Sequence, residues 1–204
     1  MRITVFGASG RTGRSIVEQA LERRHQVRAF VHANRLDGCP GLQVVRGDVL
    51  EIKDVEIAVA GQDAVLSALG NSHGLVCSVG TKNIVDAMNR TGVRRLVVES
   101  AYGAGDSAKE ISALDRLVVR GVLLRGPFRD KDAMEACVEG SGLAWTIVRP
   151  PRLTGGPPRG GYRAGERIPL RIASGIPRAD VAGFMLEQLE GDEFVGKKPS
   201  ITAG

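Results

Sequence analysis

The sequence predicts a doubly wound α/β fold with a mainly parallel sheet, and three observations point there. Short β-rich apolar runs alternate with helical stretches along nearly the whole chain. A glycine-rich turn joins the first such run directly to the first helical stretch. The length, 204 residues, fits one domain, taken as residues 1–204, and no internal repeat or low-complexity tract interrupts it.

Taken in order, Ile-Thr-Val-Phe at 3–6 is a β-type run, and residues 12–23 follow as a helix with a polar face. Residues 27–31 and 42–46 read as the second and third strands, 52–60 as a short helix, and 64–69 as the fourth strand. A helix over 79–90 is stopped by Gly92, and 95–99 makes the fifth strand. A helix over 129–139 and the turn Gly140-Ser141-Gly142 lead into the sixth strand, 145–148. A helix over 179–190 and an edge strand over 199–202 complete the pattern. Ligands of such sheets lie beyond the carboxyl ends of the strands. Those ends are residues 7–13, 32–35, 47–50, 69–74, 100–106 and 149–156. The loop Gly155-Gly156-Pro157-Pro158-Arg159-Gly160-Gly161 reads either as a flap over the site or as a solvent loop.

The turn itself, Gly7-Ala8-Ser9-Gly10-Arg11-Thr12-Gly13, has the glycines a dinucleotide-binding Rossmann unit needs. Gly7 allows a tight turn, Gly10 lets backbone approach a pyrophosphate, and Gly13 lets the helix pack on the strand. The helix's free N–H groups and positive end then hold phosphate. The spacing is Gly-x-x-Gly-x-x-Gly, and the alternative is a tight turn without ligand. The reading adopted is a nicotinamide nucleotide.

Composition narrows the partners. Aromatic residues are only 4%, too few for a base-stacking platform, and 28 basic against 23 acidic residues are interleaved, without a basic block. The net charge of +5 suits a polyanionic cofactor better than nucleic acid. Cys39, Cys77 and Cys137 are widely separated, so neither a disulfide framework nor a metal site is expected. No run of about 18 apolar residues and no leader-like segment is present, so no membrane partner is expected and a cytoplasmic location is.

An NAD site carries an acid at the end of the second strand, whereas an NADP site carries a basic residue there. The strand ends Phe30-Val31-His32-Ala33-Asn34-Arg35, and no acid appears before Asp37. Arg35 is therefore read as the 2′-phosphate ligand, flanked by His32 and Arg11, and NADP(H) as preferred over NAD(H). The alternative is a solvated loop arginine. Asp48 reads as an acceptor for the adenine amine or as a turn aspartate. Ala68, Leu69 and Gly70 are expected against a ribose.

These residues resemble the atypical short-chain dehydrogenase/reductases. The resemblance rests on 7–13, Gly47-Asp48-Val49-Leu50, Gly61-Gln62-Asp63-Ala64-Val65, Ser141-Gly142-Leu143, Trp145-Thr146-Ile147-Val148-Arg149-Pro150 and Arg178-Ala179-Asp180-Val181-Ala182. Within that group the chain is most similar to the flavin reductase/biliverdin-IXβ reductase type and its NmrA-like relatives. The resemblance implies NADP contacts at Gly7, Ser9, Gly10, Arg11, Thr12, Gly13, Arg35, Asp48, Val49, Leu69 and Gly70. It places Ser100 beside the nicotinamide and implies a monomer.

The usual Tyr-x-x-x-Lys acid is missing. Asp106 and Glu166 stand four residues after Tyr102 and Tyr162, and Pro127 stands four before Lys131. Hydride transfer to a flavin, quinone or linear tetrapyrrole tolerates that loss, because conjugation spreads the charge and orientation dominates. Candidate catalytic residues are Ser100, Tyr102 and Lys131. Tyr102 would stack on an acceptor, donate a proton, or only pack its loop. Lys131 would contact the nicotinamide ribose or stand exposed, and His73 is a proton donor or an exposed histidine. Residues 150–178 are expected as substrate-side loops, and flavin as a substrate rather than a bound cofactor. The expected activity is an NADPH-dependent reductase of a small-molecule conjugated acceptor. Its rivals are an NmrA-like NADP(H)-binding redox sensor without turnover, and an isomerase or reductase of a specialised biosynthetic pathway.

Overall fold

The computed structural model describes residues 1–32, 39–70, 75–113, 117, 124–171 and 174–204. Its centre is a parallel six-stranded sheet built from β1 (Arg2–Phe6), β2 (Gln26–Val31), β3 (Leu42–Arg46), β4 (Ala64–Ser67), β5 (Arg95–Glu99) and β6 (Ala144–Val148). The strand order is β3-β2-β1-β4-β5-β6. The chain starts in the middle, grows to one side, then crosses over β1 and grows to the other. Register is set on both flanks of β1, where Ile3 lies opposite both Val27 and Ala64.

Both faces of this sheet are covered, which is why its strands read as nearly unbroken apolar runs. On one face Ile3, Val5, Val27 and Leu66 pack with Ile16, Val17 and Ala20 of α1 (Arg11–Glu22) and with Val181 and Met185 of α5 (Arg178–Glu187). On the other, Phe6, Phe30, Val65, Leu96 and Val98 pack against α2 (Ile52–Val59), α3 (Val76–Thr91) and α4 (Arg125–Glu139). Thr4 keeps a hydroxyl in that core by donating to the Ala58 carbonyl at 2.6 Å.

Several boundaries differ from expectation. Helix α4 begins at Arg125, four residues ahead of the predicted start, because Pro127 falls in the first turn where its missing N–H costs nothing. Helix α3 begins at Val76, and its carboxyl end is capped by Gly92 at φ +78° as the sequence predicts. The predicted edge strand at 199–202 forms as β10 (Ser200–Thr202), but its ladder is antiparallel to β8 (Arg163–Gly165). It lies beside the residue that follows β6 through one isolated bridge, Arg149 to Ser200. A second pair, β7 (Arg152–Thr154) with β9 (Gly175–Pro177), was not foreseen, since three-residue strands leave no periodicity to read. Among the described residues no helix is long and apolar enough to cross a membrane.

One ionic cluster fastens the carboxyl ends of β5 and β6 to α4. Arg149 donates to Glu135 at 2.5 Å with both side chains nearly inaccessible, and a second bond reaches Asp106 in the 3₁₀ turn Gly105–Lys109. Removing one partner of a buried pair leaves the other charge uncompensated. Glu135→Ala is therefore expected to lower unfolding free energy by about 3–5 kcal/mol, measured by urea titration.

Candidate functional site

At the crossover between β1 and β4 the strand ends open onto a groove of two lobes that meet at Leu69 and Gly70. The first lobe is a cavity of about 550 Å³ lined by Gly7, Ser9, Phe30, His32, Asp48, Val49 and Leu50. The second, of about 340 Å³, lies over β5 and is lined by Gly10, Arg11, Thr12, Ala68, Glu99, Ser100, Lys131, Leu153 and Arg178, among others.

The glycine turn divides the lobes. Gly7 has φ +73°, and a Cβ there would lie 2.4 Å from the Ala68 carbonyl oxygen. A Cβ on Gly13 would stand 2.0 Å from the Gly7 carbonyl oxygen, so the helix leans on the turn closely enough to admit only hydrogen. Gly10 closes the turn by donating its N–H to Gly7 at 2.9 Å and is the N-cap of α1. No side chain caps that end and no acid occupies its first turn, so the positive end of α1 is left uncompensated. A bare helix end, a glycine cradle and nearby cations together suit a pyrophosphate.

In the first lobe, Asp48 accepts the Leu50 N–H at 2.9 Å while its other oxygen lies 3.8 Å from His32 Nε2. Asp48 is thus a turn aspartate whose remaining oxygen stays accessible. Arg35 and His73 lie outside the described residues. Arg11, expected beside Arg35, lines the second lobe beside Arg178, whose guanidinium burial and Arg11 together push down.

The second lobe gathers Ser100 and Lys131. The Ser100 hydroxyl donates to Glu135 at 2.5 Å, and Lys131 Nζ donates to the Glu99 carbonyl at 3.2 Å. Tyr102 is not brought there. It is buried, donates its backbone N–H to Pro150, and lines a separate cavity with Glu110 and Arg167. Burial, reinforced by Glu110, pushes its phenol up. Tyr162 donates to Glu187 at 2.6 Å and packs edge-on against Phe184. The loop 155–161, read either as a flap or as a solvent loop, is exposed and lines neither lobe, and the N–H groups of Arg159 and Gly160 hold it to the buried Asp180 carboxylate.

Glu99 and Arg178 were missed as site residues. Glu99 is 6% exposed and accepts the Thr12 hydroxyl at 3.3 Å. Burial pushes its carboxyl up, against the pull of Lys131, Thr12 and Arg178. Its signal was present: an acid ends the otherwise apolar run Leu96-Val97-Val98.

The sequence matches the family model described as NAD(P)H-binding over residues 7–192. An uncharacterized chloroplast protein of Arabidopsis thaliana is 35% identical over 219 residues, covering 99% of this chain and 76% of that one. Among solved structures, an anaerobilin reductase from Escherichia coli O157:H7 superposes with a TM-score of 0.83 at 21% identity, over 99% of this chain and 97% of that one. A short-chain dehydrogenase/reductase of Veillonella parvula, solved in complex with NADP, gives 0.83 at 17% identity over 98% and 94%. These two likenesses show the shared fold.

Gly13→Ala is expected to cost about 1–3 kcal/mol of stability through overpacking and to weaken NADPH binding sharply. Gly126→Ala, in α4 where a Cβ meets open space, is the control expected to leave NADPH binding unchanged and stability no lower, with thermal melts and NADPH fluorescence as the measurements.

Proposed function

The chain belongs to the NAD(P)H-binding family, and from that premise we propose that it is an NADPH-dependent reductase of a conjugated small-molecule acceptor. Flavins, quinones and linear tetrapyrroles are the acceptor classes. The observation that carries this reading is the second lobe, which supplies cations, a buried carboxyl and a committed serine but no tyrosine acid. When bound, the nicotinamide nucleotide supplies a hydride. The chain's own residues then have three tasks. The glycine turn and the end of α1 hold the pyrophosphate, with Arg11 and Arg178 adding positive charge. Lys131, tied to the Glu99 carbonyl, would meet the nicotinamide ribose. Leu153 and the prolines at 150 and 151 form an apolar wall against which a planar acceptor can lie, so that orientation supplies most of the rate.

The likeness in fold to an anaerobilin reductase puts a linear tetrapyrrole in the first acceptor panel. Preference for NADPH rests on Arg35, with His32 exposed at the mouth of the first lobe. The second reading, a redox sensor that binds NADP(H) without turnover, draws on the same absence of a tyrosine in the groove.

The deciding experiment follows NADPH oxidation by absorbance with FMN, FAD, riboflavin, a biliverdin and a quinone in turn, with NADH as control. Acceptor-dependent oxidation supports the reductase; tight binding without oxidation supports the sensor. Arg35→Ala is expected to cost about 1.5–3 kcal/mol of NADPH binding, a charge-assisted bond's worth, and to leave NADH binding unchanged. Equal losses for both nucleotides would remove Arg35 from the phosphate site.

A further inference from the structure

Reducing a conjugated acceptor consumes a proton as well as a hydride, and the second lobe contains one carboxyl among the described residues, that of Glu99. The groups acting on it come from three helices, Thr12 from α1, Lys131 from α4 and Arg178 from α5, with Arg11 of α1 beside Arg178. The lobe's hydroxyls are committed, Thr12 to Glu99 itself and Ser100 to Glu135. Both tyrosines lie outside either lobe. We propose that Glu99 is the catalytic acid of this protein, giving its proton to the acceptor at the Thr12 edge of the second lobe. The inference rests on the reductase reading above.

In the step, the acceptor gains two electrons and a hydrogen from the hydride donor, and negative charge develops on its heteroatom. The Glu99 O–H bond breaks, the new heteroatom–hydrogen bond forms, and the carboxylate left behind is stabilised by the Thr12 hydroxyl and the cations around it. Solvent entering the groove returns the proton. Burial favours the neutral carboxyl between turnovers, while Lys131 and Arg178 keep the ionised form within reach. The protonated form is the competent one, so turnover falls as pH rises through the raised Glu99 value.

Glu99→Gln and Glu99→Asp test the assignment, with NADPH binding measured first by fluorescence. A readout independent of turnover is the infrared carbonyl band of a protonated carboxyl, taken as wild type minus Glu99→Gln across pH. The expected result is a band that persists above the usual carboxylate range. With it, Glu99→Gln binds NADPH like wild type, loses about 10²-fold in kcat, and lacks the alkaline fall that Glu99→Asp partly restores. The proposal is overturned if the band titrates in the ordinary range, or if Glu99→Gln keeps wild-type kcat or the alkaline fall. It is also overturned if both variants fold but bind no NADPH, because Glu99 would then hold the cofactor. A wild-type protein that binds NADPH and reduces no acceptor overturns the reductase reading and this proposal together. That outcome differs from the others, in all of which wild type turns over.

Discussion

The contact between Gly13 and the Gly7 carbonyl sets the position of everything around the groove. A hydrogen where any other residue has a Cβ lets α1 lie against the first turn. Once α1 is fixed at that depth, Thr12 reaches across β4 to the Glu99 side chain on β5. The far side of the same helix is fixed as well, with Gln19 donating to the Ala179 carbonyl at 2.7 Å and Arg23 reaching the Gly183 carbonyl. These bonds seat α5, and α5 begins with Arg178. One close approach thus fixes the phosphate-binding end of α1 and brings a cation from a helix more than 150 residues later in the chain to the same lobe.

A second constraint holds the opposite wall. Glu135 accepts from Ser100 and from Arg149, so a residue of α4 joins the residues that follow β5 and β6. Gly105 is part of this packing, since a Cβ there would stand 2.2 Å from a Glu135 carboxylate oxygen. Burying two charges is expensive, and the bonds from Ser100 and the approach of Asp106 offset that cost by satisfying both ions. The pair lies behind the lobe rather than in it. Its contribution to the site is the fixed backbone at Ser100 and the fixed pitch of α4, which carries Lys131.

The fold was legible because its signals are local. Six apolar runs, the helical stretches between them and the glycine turn place the main sheet and its crossover before any contact is known. Boundaries slipped where local rules admit two answers, as at Pro127, which either precedes a helix or occupies its first turn. The first lobe was legible for the same reason, because Gly7, Ser9, Asp48 and Val49 sit within a few residues of strand ends. The second lobe was less so. Arg178 gives no local sign that α5 will bring it beside Arg11, and the Ser100 hydroxyl gives none that Glu135 will claim it. The β7–β9 pair and the β8 partner of β10 lie beyond local reading too, each strand being too short for alternation to register.

Glu99 raises the question of why a buried acid stands where an apolar residue would continue the strand. Stability does not account for it. Among the described residues its carboxyl has one hydrogen bond, from Thr12 at 3.3 Å, and no ion pair, so its desolvation is only partly offset. The buried Glu135, by contrast, is held by Arg149 and Ser100 at contact distance. Two buried glutamates, two environments: one is saturated with partners and faces away from the groove, the other is sparsely bonded and faces into it. Burial without an ion-pair partner favours the neutral form of the Glu99 carboxyl. The asymmetry between Glu99 and Glu135 therefore separates a group that holds the wall from the one proposed above as the proton donor.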